Sequence, residues 1–262
     1  MSATNDEAAV HLKVEGAFAS IVFDRPQARN AMTWSMYQQL GGACEQLKAN
    51  SAVRVVTLRG AGGAAFVAGT DIAQFKDFTG GEDGVAYERQ IDAAIALLES
   101  LPMATVAVIE GWCVGGGLAI ATACDIRIAT PDAKLGVPIA RTLGNCLSIA
   151  NLARLVAAFG RGRVQRMLVG AEVLEAAEGL ACGYLAQVLP AQALDAAVQE
   201  RCKQLASLAP VTQAVTKEAL SRLVAHQLPE AEDLIRRAYG SEDFREGVQA
   251  FNAKRKPVWR NR

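Results

Sequence analysis

Three consecutive glycines, Gly115-Gly116-Gly117, stand where the sequence turns from a buried strand, Val106-Ala107-Val108-Ile109, into a helix-like run from Leu118 to Cys124. A glycine turn that opens a helix leaves the first backbone N–H groups without intrahelical partners, at the positive end of the helix dipole. Such groups hold negative charge, either a bound phosphate or an oxyanion that develops during a reaction. Close packing of helix on strand is the competing use of the same glycines. A second small-residue stretch, Gly60 to Asp71, offers backbone that a ligand can approach, with a plain connector as the alternative.

Proton-moving groups are scarcer. The two histidines, His11 and His226, are far apart in the chain, which argues against a zinc site or a histidine-centred triad. The six cysteines show no paired spacing and read as small apolar side chains kept reduced; Cys146 has no neighbouring histidine to make it a nucleophile. Glu110 abuts the glycine turn, and Asp92 lies on the helix before the central strand; these two are the acid–base candidates. No Gly-x-Gly-x-x-Gly spacing with a downstream acid occurs and no phosphate-loop lysine, which disfavours NAD and ATP. Lysine and arginine together balance aspartate and glutamate at 27 each, so there is no broad basic field to attract nucleic acid or an anionic bilayer. The polar, acidic N-terminus lacks a hydrophobic signal core and no apolar run is long enough to span a membrane, so a cytoplasmic location is expected.

The elements that must position these residues follow from periodicity. Val10 to Val14 and Ala17 to Phe23 read as a hairpin, Thr33 as the N-cap of a helix to about Ala49, and Arg54 to Arg59 as a core strand. Asp71 to Phe78 reads as a short helix, Thr79 to Gly84 as a polar break and mobile rim, and Val85 to Ser100 as an alanine-rich helix. Short strands at Asp125 to Ala129 and Ala133 to Gly136 precede helical segments at Leu147 to Val156, Gly162 to Val169 and Leu174 to Leu180. A strand at Leu185 to Leu189 then leads into an all-helical tail. The expectation is an α/β spiral of turns with two strands and a helix each, residues 1–190, followed by a helical region, residues 191–262.

Several pieces together resemble the crotonase superfamily, the enoyl-CoA hydratase/isomerase family. They are Asp24-Arg25-Pro26 with Arg29-Asn30-Ala31-Met32, Phe66 to Ile72, Glu110-Gly111 with Gly115-Gly116-Gly117-Leu118, Ala123 to Ala129, Ala176 to Leu180, and Ser241 to Pro257. The resemblance implies a crotonase fold, an acyl-CoA substrate, and an oxyanion hole made by the backbone N–H groups of Thr70 and Gly116. It implies no bound cofactor and no metal, with coenzyme A arriving as part of the substrate. Ala68, Asp71 and Ile72 fall in the loop that meets the adenine end, and Arg29 fits a phosphate contact; Lys254 and Lys256 are further phosphate candidates, with a solvated surface role as the alternative. Asp71 and Asp125 match structural aspartates that cap or anchor loops. The resemblance also implies a homotrimer, often paired into a homohexamer, in which the C-terminal helices help close the pocket. RNA binding, known for some relatives, is disfavoured by the neutral charge.

The match breaks at the family's two hydratase glutamates, whose positions hold Ala119 and Ile139. Neither side chain can move a proton. The stretch Ile139 to Ser148 also departs from the family's glycine-rich run there, with Arg141, Asn145, Cys146 and Ser148 as its polar or reactive members. The expectation is an acyl-CoA enzyme that stabilises a thioester enolate without being a two-glutamate hydratase; isomerisation, decarboxylation, thioester hydrolysis and silent acyl-CoA binding are the alternatives.

Overall fold

The computed structural model describes residues 9–260. The polar start, residues 1–8, and residues 261–262 lie outside the described residues. Strands β1 (Ala9–Glu15) and β2 (Phe18–Asp24) form the expected hairpin, with Ala19, Ile21 and Phe23 buried on one face of β2. The Thr33 side chain accepts the Met36 N–H and so starts α1 (Trp34–Lys48).

From here one unit repeats: a strand in a large sheet, a strand in a small sheet, then helix. The first turn is β3 (Val55–Gly60), β4 (Ala65–Ala68) and α2 (Gly81–Glu99); the second is β5 (Ala104–Ile109), β6 (Trp112–Val114) and α3 (Gly116–Ala123). The third is β7 (Ile126–Ala129) and β8 (Lys134–Gly136), followed by α4 (Ile139–Thr142), α5 (Ile149–Phe159) and α6 (Arg161–Leu168). The chain returns through β9 (Val173–Glu175), α7 (Ala176–Ala181) and β10 (Gln187–Val188), then continues as α8 (Ala191–Ala206), α9 (Pro210–Ala225), α10 (Glu232–Tyr239) and α11 (Glu242–Asn252). The large sheet runs β1-β2-β3-β5-β7-β10, parallel beyond the opening hairpin, and the small sheet runs β4-β6-β8-β9, with only β9 antiparallel. This is the expected spiral of ββα turns with helices at its C-terminal end.

Every residue of β5 is buried, as in a parallel strand covered on both faces. Ala107 and Ile109 join the main core, while Val106 and Val108 meet Leu194 and Leu205 of α8 on the other face. Asp125 accepts from both the N–H (2.7 Å) and the hydroxyl (2.8 Å) of Thr105, and Lys217 of α9 pairs with it at 2.7 Å. Asp125 therefore ties α9 to the starts of β5 and β7, an anchoring role of the kind expected. Among the described residues no helix is long and apolar enough to cross a membrane.

The structure corrects several local expectations. The stretch read as polar break and rim is instead the first turn of α2 from Gly81: Asp83 accepts the N–H groups of Thr79 (2.7 Å) and Gly80 (3.0 Å). Gly81 and Gly84 lack side chains because α10 lies against them; a Cβ on Gly84 would sit 2.2 Å from Tyr239 Cγ. The segment after Asp71 forms only a 3-10 turn, Ile72–Phe75, whose first N–H groups Asp71 caps through Ala73 (3.0 Å). The helix expected from Leu174 divides into β9 and α7, because Val173 to Glu175 is captured by the edge of β8. The short strands β4 and β6 fall within stretches read as loop and turn; their pairing partners lie in distant parts of the chain.

Asn30 links the loop after β2 to the β3–β4 connection. It is fully buried, accepts the Arg25 N–H (2.9 Å), and donates to the carbonyls of Ala61 (2.9 Å) and Ala65 (2.8 Å). Its φ of 57° is one that asparagine tolerates better than most residues. Asn30→Ala takes the side-chain partner from one buried and two partly buried backbone groups, so urea unfolding is expected to show a loss of about 2–4 kcal/mol. A loss below about 0.5 kcal/mol contradicts this role.

Candidate functional site

A cavity of roughly 520 Å³ opens where the loop after β4, the start of α3, the α4 turn and one face of α2 converge. Its wall includes Thr70, Gly116, Ile139, Glu88 and Tyr87, with Arg29 and Arg141 also in the lining. Strands β4 and β6 run in parallel, paired as far as Ala68 with Val114. Extending that register by two residues sets Thr70 opposite Gly116, and there the ladder divides. On one side Thr70 forms a parallel bridge with Met32: Met32 N–H donates to Gly69 O and Asp71 N–H to Met32 O, both at 2.9 Å. Alternation along an extended strand turns the Thr70 N–H the opposite way, toward the start of α3. On the other side Gly115, with φ of 55°, bends the chain into α3 and leaves the Gly116 N–H ahead of the first intrahelical bond. Neither N–H has a hydrogen-bond partner among the described residues.

The glycines also permit contact that any side chain would block. A Cβ on Gly116 would lie 2.3 Å from the Tyr37 hydroxyl, and one on Gly117 would lie 2.0 Å from the Val67 carbonyl. Packing and free N–H groups are thus produced by the same turn. The Thr70 side chain is held as firmly as its backbone: its hydroxyl bonds Tyr37 and Tyr87, each at 2.9 Å. Burial pushes both tyrosines well above their usual range, so they remain protonated hydroxyls.

Asp71 and Ile72 line the cavity, and Asp71 pairs with Arg25 at 2.8 Å, consistent with a loop anchor. Ala68 is in the wall and its N–H donates to Arg29 O at 3.0 Å. The exposed Arg29 guanidinium lies 5.7 Å from the Trp112 ring centroid and has no carboxylate partner among the described residues. Lys254 and Lys256 are exposed and outside the cavity lining, although Phe251 contributes to it.

The two acid–base candidates lie outside that wall. Glu110 is paired with Arg59 at 2.6 Å, and Arg59 also reaches Asp195 at 2.6 Å. Asp92 accepts the Ser148 hydroxyl at 2.7 Å, with Arg154 4.0 Å away, and so helps fix the start of α5. Cys146 is likewise outside the wall; burial drives its thiol up to about 12.

One turn before Asp92 stands Glu88, which sequence reading left within an alanine-rich helix. It is only 3% exposed yet contributes to the cavity wall. Tyr239 OH donates to its Oε1 at 2.6 Å and Ser148 N–H to its Oε2 at 2.8 Å. Desolvation outweighs these two bonds and raises the carboxyl to about 7. A charged residue on the apolar face of α2, four positions before Asp92, was the available signal.

Comparison with known proteins gives a consistent neighbourhood. The family model described as enoyl-CoA hydratase/isomerase matches residues 13–262. Short-chain-enoyl-CoA hydratase of Clostridium acetobutylicum is 30% identical over 251 residues, covering 94% of this chain and 95% of that protein. The crystal structure of an enoyl-CoA hydratase/carnithine racemase from Magnetospirillum magneticum shares 33% identity at a TM-score of 0.78, covering 97% of this chain and 96% of its own. Methylmalonyl-CoA decarboxylase in complex with 2-nitronate-propionyl-CoA shares 25% identity at a TM-score of 0.88, covering 97% and 98% of the two chains.

The folded state favours protonated Glu88. Its contribution to stability is complete below the unfolded value of 4.5 and is lost as pH rises through about 7. Relative to Glu88→Gln, wild-type stability in urea is expected to fall by roughly 2–4 kcal/mol between pH 4.5 and pH 8. Parallel stability curves for the two proteins across that range contradict the assignment.

Proposed function

The chain belongs to the enoyl-CoA hydratase/isomerase family, and from that membership we propose that it binds acyl-CoA thioesters and stabilises their enolates, the Thr70 and Gly116 N–H groups donating to the enolate oxygen. The supporting observation is the pair of unpartnered N–H groups at the divided end of the β4–β6 ladder, facing one cavity. When a proton or carboxylate leaves the α-carbon, the electron pair it leaves moves through the C–C bond onto the thioester oxygen. Donors already in place meet that charge without reorganisation, and each is worth about 3–4 kcal/mol in such transition states. The positive end of α3 adds to the same field.

Arg29, at the cavity edge with a free guanidinium, serves as a phosphate contact for coenzyme A, and the Ala68 to Ile72 backbone meets its adenine end. Lys254 and Lys256, outside the acyl cavity, remain candidates for the more distant phosphates. Assembly into a homotrimer or homohexamer is supported by α9, which has no buried residue and exposes Val211, Val215, Leu220 and Leu223. Light scattering is expected to give a mass of three or six chains of 27.7 kDa; a monomer contradicts this.

Addition of water is the activity this site favours least. Ala119 is buried in the core and Ile139 lines the cavity, so neither position supplies an acid or base. Decarboxylation is a second reading, favoured by the likeness to methylmalonyl-CoA decarboxylase and by an apolar wall that would desolvate a substrate carboxylate. Crotonyl-CoA hydration is expected below about 1 s⁻¹, under the ordinary range for enzymes. A chromophoric cinnamoyl-type thioester is expected to red-shift on binding as its carbonyl is polarised. Gly116→Ala should abolish the shift and lower turnover by about 10²–10³-fold. Rapid crotonyl-CoA hydration, or an unshifted spectrum at saturation, would sink these readings. Binding without turnover over a panel of enoyl, malonyl and saturated thioesters would instead favour the silent-binding alternative.

A further inference from the structure

We propose that Glu88 is the catalytic acid–base residue of this cavity, that Tyr239 is its positioning residue, and that together they serve a 1,3-proton shift along an enoyl-CoA chain. The inference rests on the assignment of Thr70 and Gly116 as the donors to the thioester oxygen. Among the described residues, the cavity wall contains two carboxylates, Asp71 and Glu88, and no histidine or cysteine. Asp71 is committed to Arg25 (2.8 Å) and to the Ala73 N–H (3.0 Å). Glu88 has no cationic partner among the described residues, so its charge is not neutralised by an ion pair.

The bonds around Glu88 orient it. Asn145 Nδ2 donates to the Tyr239 oxygen at 3.0 Å, which leaves the tyrosine hydrogen for Glu88 Oε1. Ser148 N–H holds Oε2. Each carboxylate oxygen keeps a second lone pair for a substrate proton. Tyr87, adjacent on α2, bonds the Thr70 hydroxyl, so one helix turn ties the carboxyl to the loop that holds the thioester oxygen.

In a 3-enoyl thioester the Glu88 carboxylate takes a proton from Cα. The C–H pair moves into the Cα–carbonyl carbon bond and the carbonyl π pair moves onto the oxygen, giving a dienolate. The oxygen pair then returns, the double bond shifts to Cα–Cβ, and Cγ takes the proton back from Glu88. No water is added to the substrate and no oxidant or second acid is consumed, which suits a wall built largely from Val114, Ile139, Leu143 and Leu147, while the carboxyl exchanges its proton with solvent between turnovers. Its protonation is set first by desolvation and then by Tyr239 from α10, the Ser148 N–H before α5 and Asp92 on α2, while Tyr87 on α2, Tyr37 from α1 and Cys146 before α5 face it as neutral groups. The Arg25–Asp71 pair and Arg141 lie on the same wall.

The test uses the full chain with 3-hexenoyl-CoA and hexanoyl-CoA in D₂O, following double-bond migration by absorbance and deuterium at Cα by mass spectrometry. Wild type is expected to catalyse both, with a rate that rises with pH through a midpoint near 7. Glu88→Gln should lower both rates by about 10²–10⁴-fold while hexanoyl-CoA affinity stays within about threefold and the red shift of a bound chromophoric thioester persists. Tyr239→Phe removes a donor to the carboxylate and should move the pH midpoint upward, a change that simple loosening of the fold would not produce. If Glu88→Gln does not fold, Glu88→Asp should lower the rate while retaining a titrating carboxyl. Exchange in Glu88→Gln, or in Glu88→Asp, at the wild-type rate overturns the assignment, as does absence of exchange in wild type. A persisting red shift in those cases leaves the Thr70 and Gly116 reading standing; no red shift in wild type removes that reading and this one with it.

Discussion

The site depends on a parallel ladder that stops one pair too soon. Backbone N–H groups inside a protein are almost always partnered, and strands β4 and β6 satisfy theirs in the usual way up to Ala68 and Val114. Beyond that pair, Met32 draws the first strand aside and the positive φ of Gly115 turns the second into α3. The Thr70 and Gly116 N–H groups are left facing a cavity. Donors fixed in this way can meet a polar oxygen without reorganising.

Holding that arrangement open requires support from both sides. The Tyr37 and Tyr87 hydroxyls grip Thr70 from α1 and α2, while Asn30 and the Arg25–Asp71 pair fix the loops that deliver it. The C-terminal helices back the wall within the same chain, and Phe251 of α11 lines it directly. Tyr239 of α10 and Phe244 of α11 pack with Phe75, Phe78 and Tyr87 in an aromatic cluster, and Tyr239 reaches through it to Glu88. Burial in this cluster raises the Glu88 carboxyl, so the packing that stabilises the fold also sets the protonation of its one uncompensated wall carboxylate.

The glycine turn, the Thr33 cap, the opening hairpin and the apolar central strand were legible because each is a local pattern: a residue type at a position, or a period along a few residues. The strands β4 and β6 were not, because three or four small residues have no period and become strands only through partners far along the chain. The start of α2 was misread for a related reason. Gly81 and Gly84 look like breakers in sequence but are contact points for α10, and that contact outweighs their poor helix propensity.

The sequence by itself determined the glycine turn, the alternation of strands and helices, and the alanine and isoleucine at positions 119 and 139, since all of these are read from residue type and order. Only the tertiary structure decided which carboxylate faces the cavity. Asp92 and Glu110 sit near the relevant elements in sequence, yet Ser148 and Arg59 hold them elsewhere. Glu88 lies one helical turn from Asp92, and which of the two meets the cavity depends on where α5 and α10 dock. Helix orientation is a sum of contacts from remote segments, so no local pattern in α2 could distinguish the wall carboxylate from its neighbour.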